Sequence, residues 1–193
     1  MATARPKAPQ PQPETEAGTG PERRNERTVA IMLCGIPGAG KSTVAAQLIR
    51  RLDDIEVIAT DVVGRRGRRY ERLQRRLAEL ARRRRYVVLD GTFYLRRHRD
   101  AVRGMGHPIL LVYLDCPLEV CLERNRARPQ GIPEKGVAGI ARGFQPPARE
   151  EWPLVIPADR TEPEAAARRI CRAIVRRSLA GGRPSTAGRG GGG

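Results

Sequence analysis

The sequence contains almost no lysine. Only Lys7, Lys41 and Lys135 are lysine among 37 basic residues, which face 21 acidic ones for a net charge of +16. With a pI near 11.2, such a chain suits a polyanionic partner such as RNA, or a site that gathers phosphates and sulfates. A general preference for arginine would leave the same mark. Aromatics are also scarce, at 4%, which leaves few platforms for stacking unpaired bases. The four cysteines, Cys34, Cys116, Cys121 and Cys171, form no C-x-x-C pair and share no metal-ligand spacing with the two histidines. They are expected to be buried thiols of a reduced, cytoplasmic protein. No apolar run approaches membrane-spanning length, and the N-terminus lacks a signal-peptide core, so no membrane partner is expected.

Residues 1–27 have almost no aliphatic side chains beyond alanine, and residues 179–193 are rich in glycine and arginine. Neither stretch can offset its ordering entropy by burial, so both are expected to be disordered. Residues 28–178 suffice for one domain with a real core. Apolar strand patterns at 29–34, 55–59, 86–89, 109–114 and 154–156 alternate with helical ones. The helices are expected at 43–52, 66–83, 96–103, 118–126 and up to residue 177, with a weak pattern at 133–142. Val44, Leu48 and Ile49 should bury one side of the first, Tyr70, Leu73, Leu77 and Leu80 that of the second. The last should bury Ala166, Ile170, Ala173 and Ile174 behind a capping box at Thr161 and Glu164. This alternation predicts an α/β fold, a five-stranded parallel sheet with helices on both faces. Residues 128–147, interrupted by Pro and Gly, read as a lid segment or a long surface loop.

The chemistry is announced by Gly35, Ile36, Pro37, Gly38, Ala39, Gly40, Lys41 and Ser42, followed by Thr43, which fit G-x-x-x-x-G-K-[ST] between strand and helix. Glycines let successive N–H groups turn around a phosphate, and the helix N-terminus adds its positive dipole end. ATP is the expected ligand, with Lys41 bridging the β- and γ-phosphates and Ser42 ligating Mg²⁺. Ligands bind at the carboxyl ends of strands in such sheets, where Asp61, Asp90 and Asp115 also fall. Asp90 is the candidate second Mg²⁺ ligand, Asp61 the candidate base for an acceptor hydroxyl, and Asp115 the expected cap of the next helix. Arg124 and Arg128, spaced i and i+4, could place positive charge over the phosphates.

The P-loop, together with Val112-Tyr-Leu-Asp-Cys-Pro-Leu-Glu-Val-Cys121, resembles adenylylsulfate kinases over roughly residues 28–177. The resemblance implies transfer of the ATP γ-phosphate to the ribose 3′-hydroxyl of adenylyl sulfate, a small anionic acceptor. It implies that Arg65, Arg96 and Arg97 grip that acceptor, and leaves room for a homodimer. The chain departs from the family at Ala59-Thr60-Asp61-Val62, at Phe93 and Tyr94, and over residues 144–151, all on the acceptor side. A second resemblance, to seryl-tRNA kinases, lies in residues 122–128, Ile132, Pro133, Val137 and the spacing of Phe144, Pro147 and Trp152. It implies tRNA as acceptor and a further tRNA-binding domain, where this sequence has a Gly-rich stretch after Arg177. A third reading keeps ATP binding but makes the protein a nucleotide-dependent binding module with little turnover.

Overall fold

The computed structural model of the chain describes residues 28–59 and 69–179. Residues 1–27 and 180–193 lie outside the described residues, as do Asp61, Arg65 and residues 66–68 of the expected second helix. Five strands form one sheet: β1 (Val29–Cys34), β2 (Ile55–Ala59), β3 (Tyr86–Asp90), β4 (Ile109–Asp115) and β5 (Leu154–Pro157). Their order is β2-β3-β1-β4-β5, and every pairing is parallel. The helices are α1 (Lys41–Ile49), α2 (Arg69–Leu80), α3 (Arg96–Arg103), α4 (Leu118–Arg126), α5 (Glu134–Arg142) and α6 (Pro163–Leu179).

Side-chain alternation along the central strand decides the layering. Ile31 and Leu33 pack with Val44, Leu48, Ala166 and Ile170 of α1 and α6, whereas Ala30, Met32 and Cys34 pack with Leu73, Leu77 and Val102 of α2 and α3. A strand covered on both faces must be apolar throughout, which is why β1 reads as an unbroken run. Helix α2 buries Leu73, Leu77 and Leu80, and four of its other nine residues are arginine. Burial of that stripe, more than local propensity, holds such a helix in place. With β1 in the middle and connections departing to both sides, the crevice opens at the carboxyl ends of β1, β3 and β4.

Four local expectations are corrected. Ile49 is 53% exposed, because it sits roughly a quarter turn off the buried stripe of Lys41, Val44, Ala45 and Leu48. Asp115 does not cap α4: Pro117 occupies the N-cap with no side-chain hydrogen bond, and Asp115 Oδ1 accepts from the Tyr113 hydroxyl at 3.0 Å. Helix α6 begins at Pro163, and Glu164 turns to Arg51 at 2.6 Å and Arg168 at 2.7 Å. Its fully buried stripe includes Ala167, while Ala173 is only half-buried. Among the described residues no helix is long and apolar enough to cross a membrane.

Candidate active site

The site begins where β1 ends. The backbone turns through Gly35 to Gly40 and enters α1 at Lys41, with Gly40 as N-cap in the left-handed region. Gly38 has a geometric reason to be glycine. Its φ is +92°, and a Cβ there would lie 2.2 Å from the Cys121 carbonyl oxygen of α4. No acidic residue occupies the first turn of α1, so its positive dipole end is left for a ligand.

Lys41 is buried, and its Nζ donates to the Gly35 and Ile36 carbonyls, both at 2.9 Å. Burial pulls its pKa down, and the charge of Asp90 is the foremost influence opposing that fall. Asp90 ends β3 in register with Leu33 of β1. A buried ammonium held by two loop carbonyls beside a carboxylate is poised to exchange those partners for phosphate oxygens. Ser42 is exposed at the same turn. No cluster of three or more His, Cys, Asp or Glu able to hold a metal occurs among the described residues. One carboxylate and one hydroxyl fit Mg²⁺, which keeps several waters and takes further oxygens from substrate phosphates.

Beside Gly38, Gly40 and Thr43 lies a cavity of about 420 Å³, whose far wall includes Arg124, Arg128 and Ala158. The two arginines expected near the phosphates are therefore brought to the P-loop. Arg124 is fixed by a 3.0 Å hydrogen bond from Nη1 to the Ala158 carbonyl. Arg128 follows the end of α4, where the buried Asn125 organises the chain into the segment expected as a lid. Its amide donates to the Ile132 carbonyl at 2.7 Å and accepts from the Ile132 N–H at 3.2 Å. An Arg126–Glu134 ion pair and the buried Val137 then seat α5.

The loop after β3 is joined to the P-loop directly. The Gly35 N–H donates to the Thr92 carbonyl at 3.3 Å, and Cys34 Sγ contacts the Thr92 and Phe93 carbonyls at 3.5 and 3.7 Å. Burial pushes the Cys34 thiol up to about 12, so it stays protonated despite nearby Arg99 and Lys41. Phe93 is fully buried with φ +46°, an uncommon conformation that surrounding contacts must enforce.

Those contacts come from a residue pair that sequence reasoning missed. Arg99 and Glu151 are both about 1% exposed as side chains and form a bidentate pair, with Nε–Oε2 and Nη2–Oε1 each 2.7 Å. Arg99 Nη1 also donates to the carbonyls of Phe93 and Gln145, both at 2.9 Å. Glu151 accepts from Arg103 at 2.9 Å and from the Ala148 N–H at 3.0 Å. Burial raises the Glu151 pKa, but hydrogen bonds and charge from Arg99 and its neighbours outweigh that and hold it down at about 2. The expected acceptor arginines behave differently. Arg96 and Arg97 are exposed; Arg96 lies 3.6 Å from Asp100, and its N–H donates to Gln145 Oε1 at 2.9 Å. They border the junction of α3 with residues 144–151. Phe144 there stacks on Tyr113 with ring centroids 5.8 Å apart. The only sequence signal for the pair was an arginine inside a divergent acceptor segment and a glutamate at the end of another.

A parallel sheet of this order with a phosphate cradle at its centre defines a P-loop nucleotide-binding domain. An AAA domain family profile matches residues 31–147. The Gloeothece citriformis adenylyl-sulfate kinase is 30% identical over 148 residues, covering 65% of this chain and 83% of that protein. The human L-seryl-tRNA(Sec) kinase is 34% identical over 90 residues, which cover 42% of this chain and 26% of that protein. Among solved structures, the Mycobacterium tuberculosis APS kinase in complex with AMPPNP and APS superposes with TM-score 0.62. It is 22% identical, covering 77% of this chain and 98% of that one. The chain belongs to the AAA domain family and is an adenylylsulfate-kinase-like P-loop kinase.

Proposed function

We propose that the protein transfers the γ-phosphate of ATP to the ribose 3′-hydroxyl of adenylyl sulfate. The observation that carries this reading is the direct joining of two surfaces. The phosphate cradle at Lys41 is hydrogen-bonded to the loop after β3, and that loop is walled by residues 144–151. An acceptor held there meets the γ-phosphate beside Asp90, away from bulk water. Adenylyl sulfate is favoured as acceptor by the 30% identity to an adenylyl-sulfate kinase across most of that enzyme's length.

In this reading Lys41 and the P-loop N–H groups hold the β- and γ-phosphates, and Ser42 and Asp90 hold Mg²⁺. The metal draws charge from the transferring phosphoryl group when bound. Arg124 and Arg128 cover the nucleotide from the side of α4. The acceptor oxygen bonds to the γ-phosphorus as its proton passes to Asp61. The bond to the β–γ bridging oxygen breaks, and ADP leaves. Arg65, Arg96 and Arg97 bind the anionic end of the acceptor.

A second reading, with tRNA as acceptor, is favoured by the 34% identity to a seryl-tRNA(Sec) kinase over 90 residues. A nucleotide-dependent binding module is the third. One assay separates them: ADP release in Mg-ATP with adenylyl sulfate, with a tRNA pool, or with neither. Stimulation by adenylyl sulfate alone is the expected result; stimulation by tRNA alone replaces the first reading with the second. ATP binding without turnover under any condition supports the third.

A further inference from the structure

We propose that the arginine face made by α2 and the turn after it binds the phosphodiester backbone of nucleic acid, apart from the active site. Seven of the fourteen residues 72–85 are exposed arginines, and Glu79 is the only acid among them. Arg76 pairs with Glu56 at 2.9 Å and Glu79 at 3.2 Å, and Arg84 with Glu56 at 3.2 Å and Asp54 at 3.3 Å. These pairs lie on the same surface, with Glu56, Arg76, Glu79 and Arg84 all lining one concavity there. Arg75 and Arg82 have no ion-pair or hydrogen-bond partner among the described residues, and with Arg83 they line the same concavity, of about 560 Å³. Guanidinium forks match phosphate oxygens two at a time, which suits a repeating phosphate ligand better than a single carboxylate.

The alternatives lack their usual anchors. None of the exposed large apolar side chains, Ile49, Ile132, Trp152, Val155 and Val175, falls within residues 71–86. A membrane-binding helix needs an apolar face to insert, and a protein interface needs a desolvated apolar centre. Within residues 71–86 the one aromatic is Tyr86, and it lies under the Arg85 guanidinium at 5.4 Å. The ligand is therefore a backbone, read without sequence. The turn that carries Arg82 and Arg83 stands at the amino-terminal end of the sheet. The Arg85 and Tyr86 N–H groups meet the Asp54 carbonyl there, both at 3.1 Å, and Asp90 is at the other end of β3, roughly 15 Å along the strand.

The test is fluorescence anisotropy of labelled 20-base-pair RNA and DNA duplexes with the full chain between 50 and 200 mM KCl. Both duplexes should bind with similar affinity. The triple variant Arg75→Gln, Arg82→Gln, Arg83→Gln should lose roughly tenfold or more in affinity at 50 mM, its log–log salt slope falling in magnitude by about 2–3. Single variants Arg75→Gln and Arg82→Gln, each lowering the slope by about 1, decide the matter if the triple variant fails to fold. Unchanged affinity and slope in these variants would overturn the proposal. So would displacement by polyglutamate at equal charge, or equally tight binding to phosphatidylserine vesicles. Saturation with a non-hydrolysable ATP analogue should leave binding unchanged, and competition would move the ligand to the P-loop and refute a separate face. Because binding is read without turnover, failure of the kinase reading and failure of this one give different results.

Discussion

The two halves of the candidate site are built by different means. The nucleotide half is local: eight consecutive residues turn from β1 into α1, and backbone N–H groups and one lysine supply most of the chemistry. The acceptor half is assembled at a distance. Arg99 reaches Glu151, 52 residues further along, and through it ties α3 to the segment that returns from α5. Polar groups in the first half bond to backbone carbonyls, as Lys41 and Arg124 do. Those in the second are used up by one another. The first half should therefore show mutations that destroy activity and spare the fold, and the second should show the reverse.

Lys41→Ala should have the largest effect, lowering kcat by about 10²–10³-fold, as when one charge-stabilising donor is removed from a transition state. Its melting temperature should hold or rise, since burial already disfavours the lysine charge. A large fall in melting temperature would show that Lys41 braces the loop and would erase the contrast.

Glu151→Gln should come next and act on the fold. Removing one partner of a buried ion pair costs about 3–5 kcal/mol because the other charge is left behind. The carboxyl moves from an ordinary 4.5 to about 2 on folding. Its contribution to stability is complete above roughly pH 4.5 and disappears as pH falls through about 2. The variant's deficit in urea unfolding should thus be full at pH 7 and shrink on acidification below pH 4.5. In the surviving folded fraction, the KM for the acceptor should rise while ATP affinity holds. Equal stability at pH 7 would refute the idea that this pair holds the acceptor wall.

This contrast also explains what was legible beforehand. The strands, their parallel alternation and the P-loop declare themselves through short-range pattern, so β1, β2, α3 and α4 fall where periodicity puts them. Arg124 and Arg128 stood out by their i, i+4 spacing, although α4 ends at Arg126 and Arg128 reaches the same cavity from the turn beyond it. Arg99 was not, since an arginine inside the sequence Arg96-Arg97-His98-Arg99 looks like any other exposed charge. Only its orientation on α3 and the return of Glu151 bury it. Asp115 misled for a related reason: a residue before Cys-Pro suggests a cap, while Tyr113 two positions back on the same strand face competes for the carboxylate.

Between the halves, Asn125→Ala should have an intermediate effect. It leaves the Ile132 N–H and carbonyl without their partner, a cost of about 1–3 kcal/mol confined to the start of α5. Limited proteolysis near residues 128–133 should accelerate, and the KM for ATP should rise because Arg128 lies on that stretch. Global unfolding should change less than in Glu151→Gln. An unaltered cleavage pattern would mean that Val137 alone seats α5.

The smallest effect should come from Arg96→Gln and Arg97→Gln, which sharpen the comparison because they stand on the acceptor side without belonging to its buried scaffold. Both are exposed, and the 3.6 Å pairing of Arg96 with Asp100 is open to solvent. Exposed charge pairs are worth about 0.2–1 kcal/mol, so each change should raise the KM for an anionic acceptor by about 1.5- to 5-fold and leave the melting temperature alone. The Debye length falls from about 10 Å at 0.1 M salt to about 3 Å at 1 M, so the effect should fade as salt is added. A KM effect that survives high salt would instead mean that the arginines make short, partly desolvated contacts with the acceptor. The ligand-side polar groups of the two halves would then be alike after all, and the acceptor half would differ only in how it is held together.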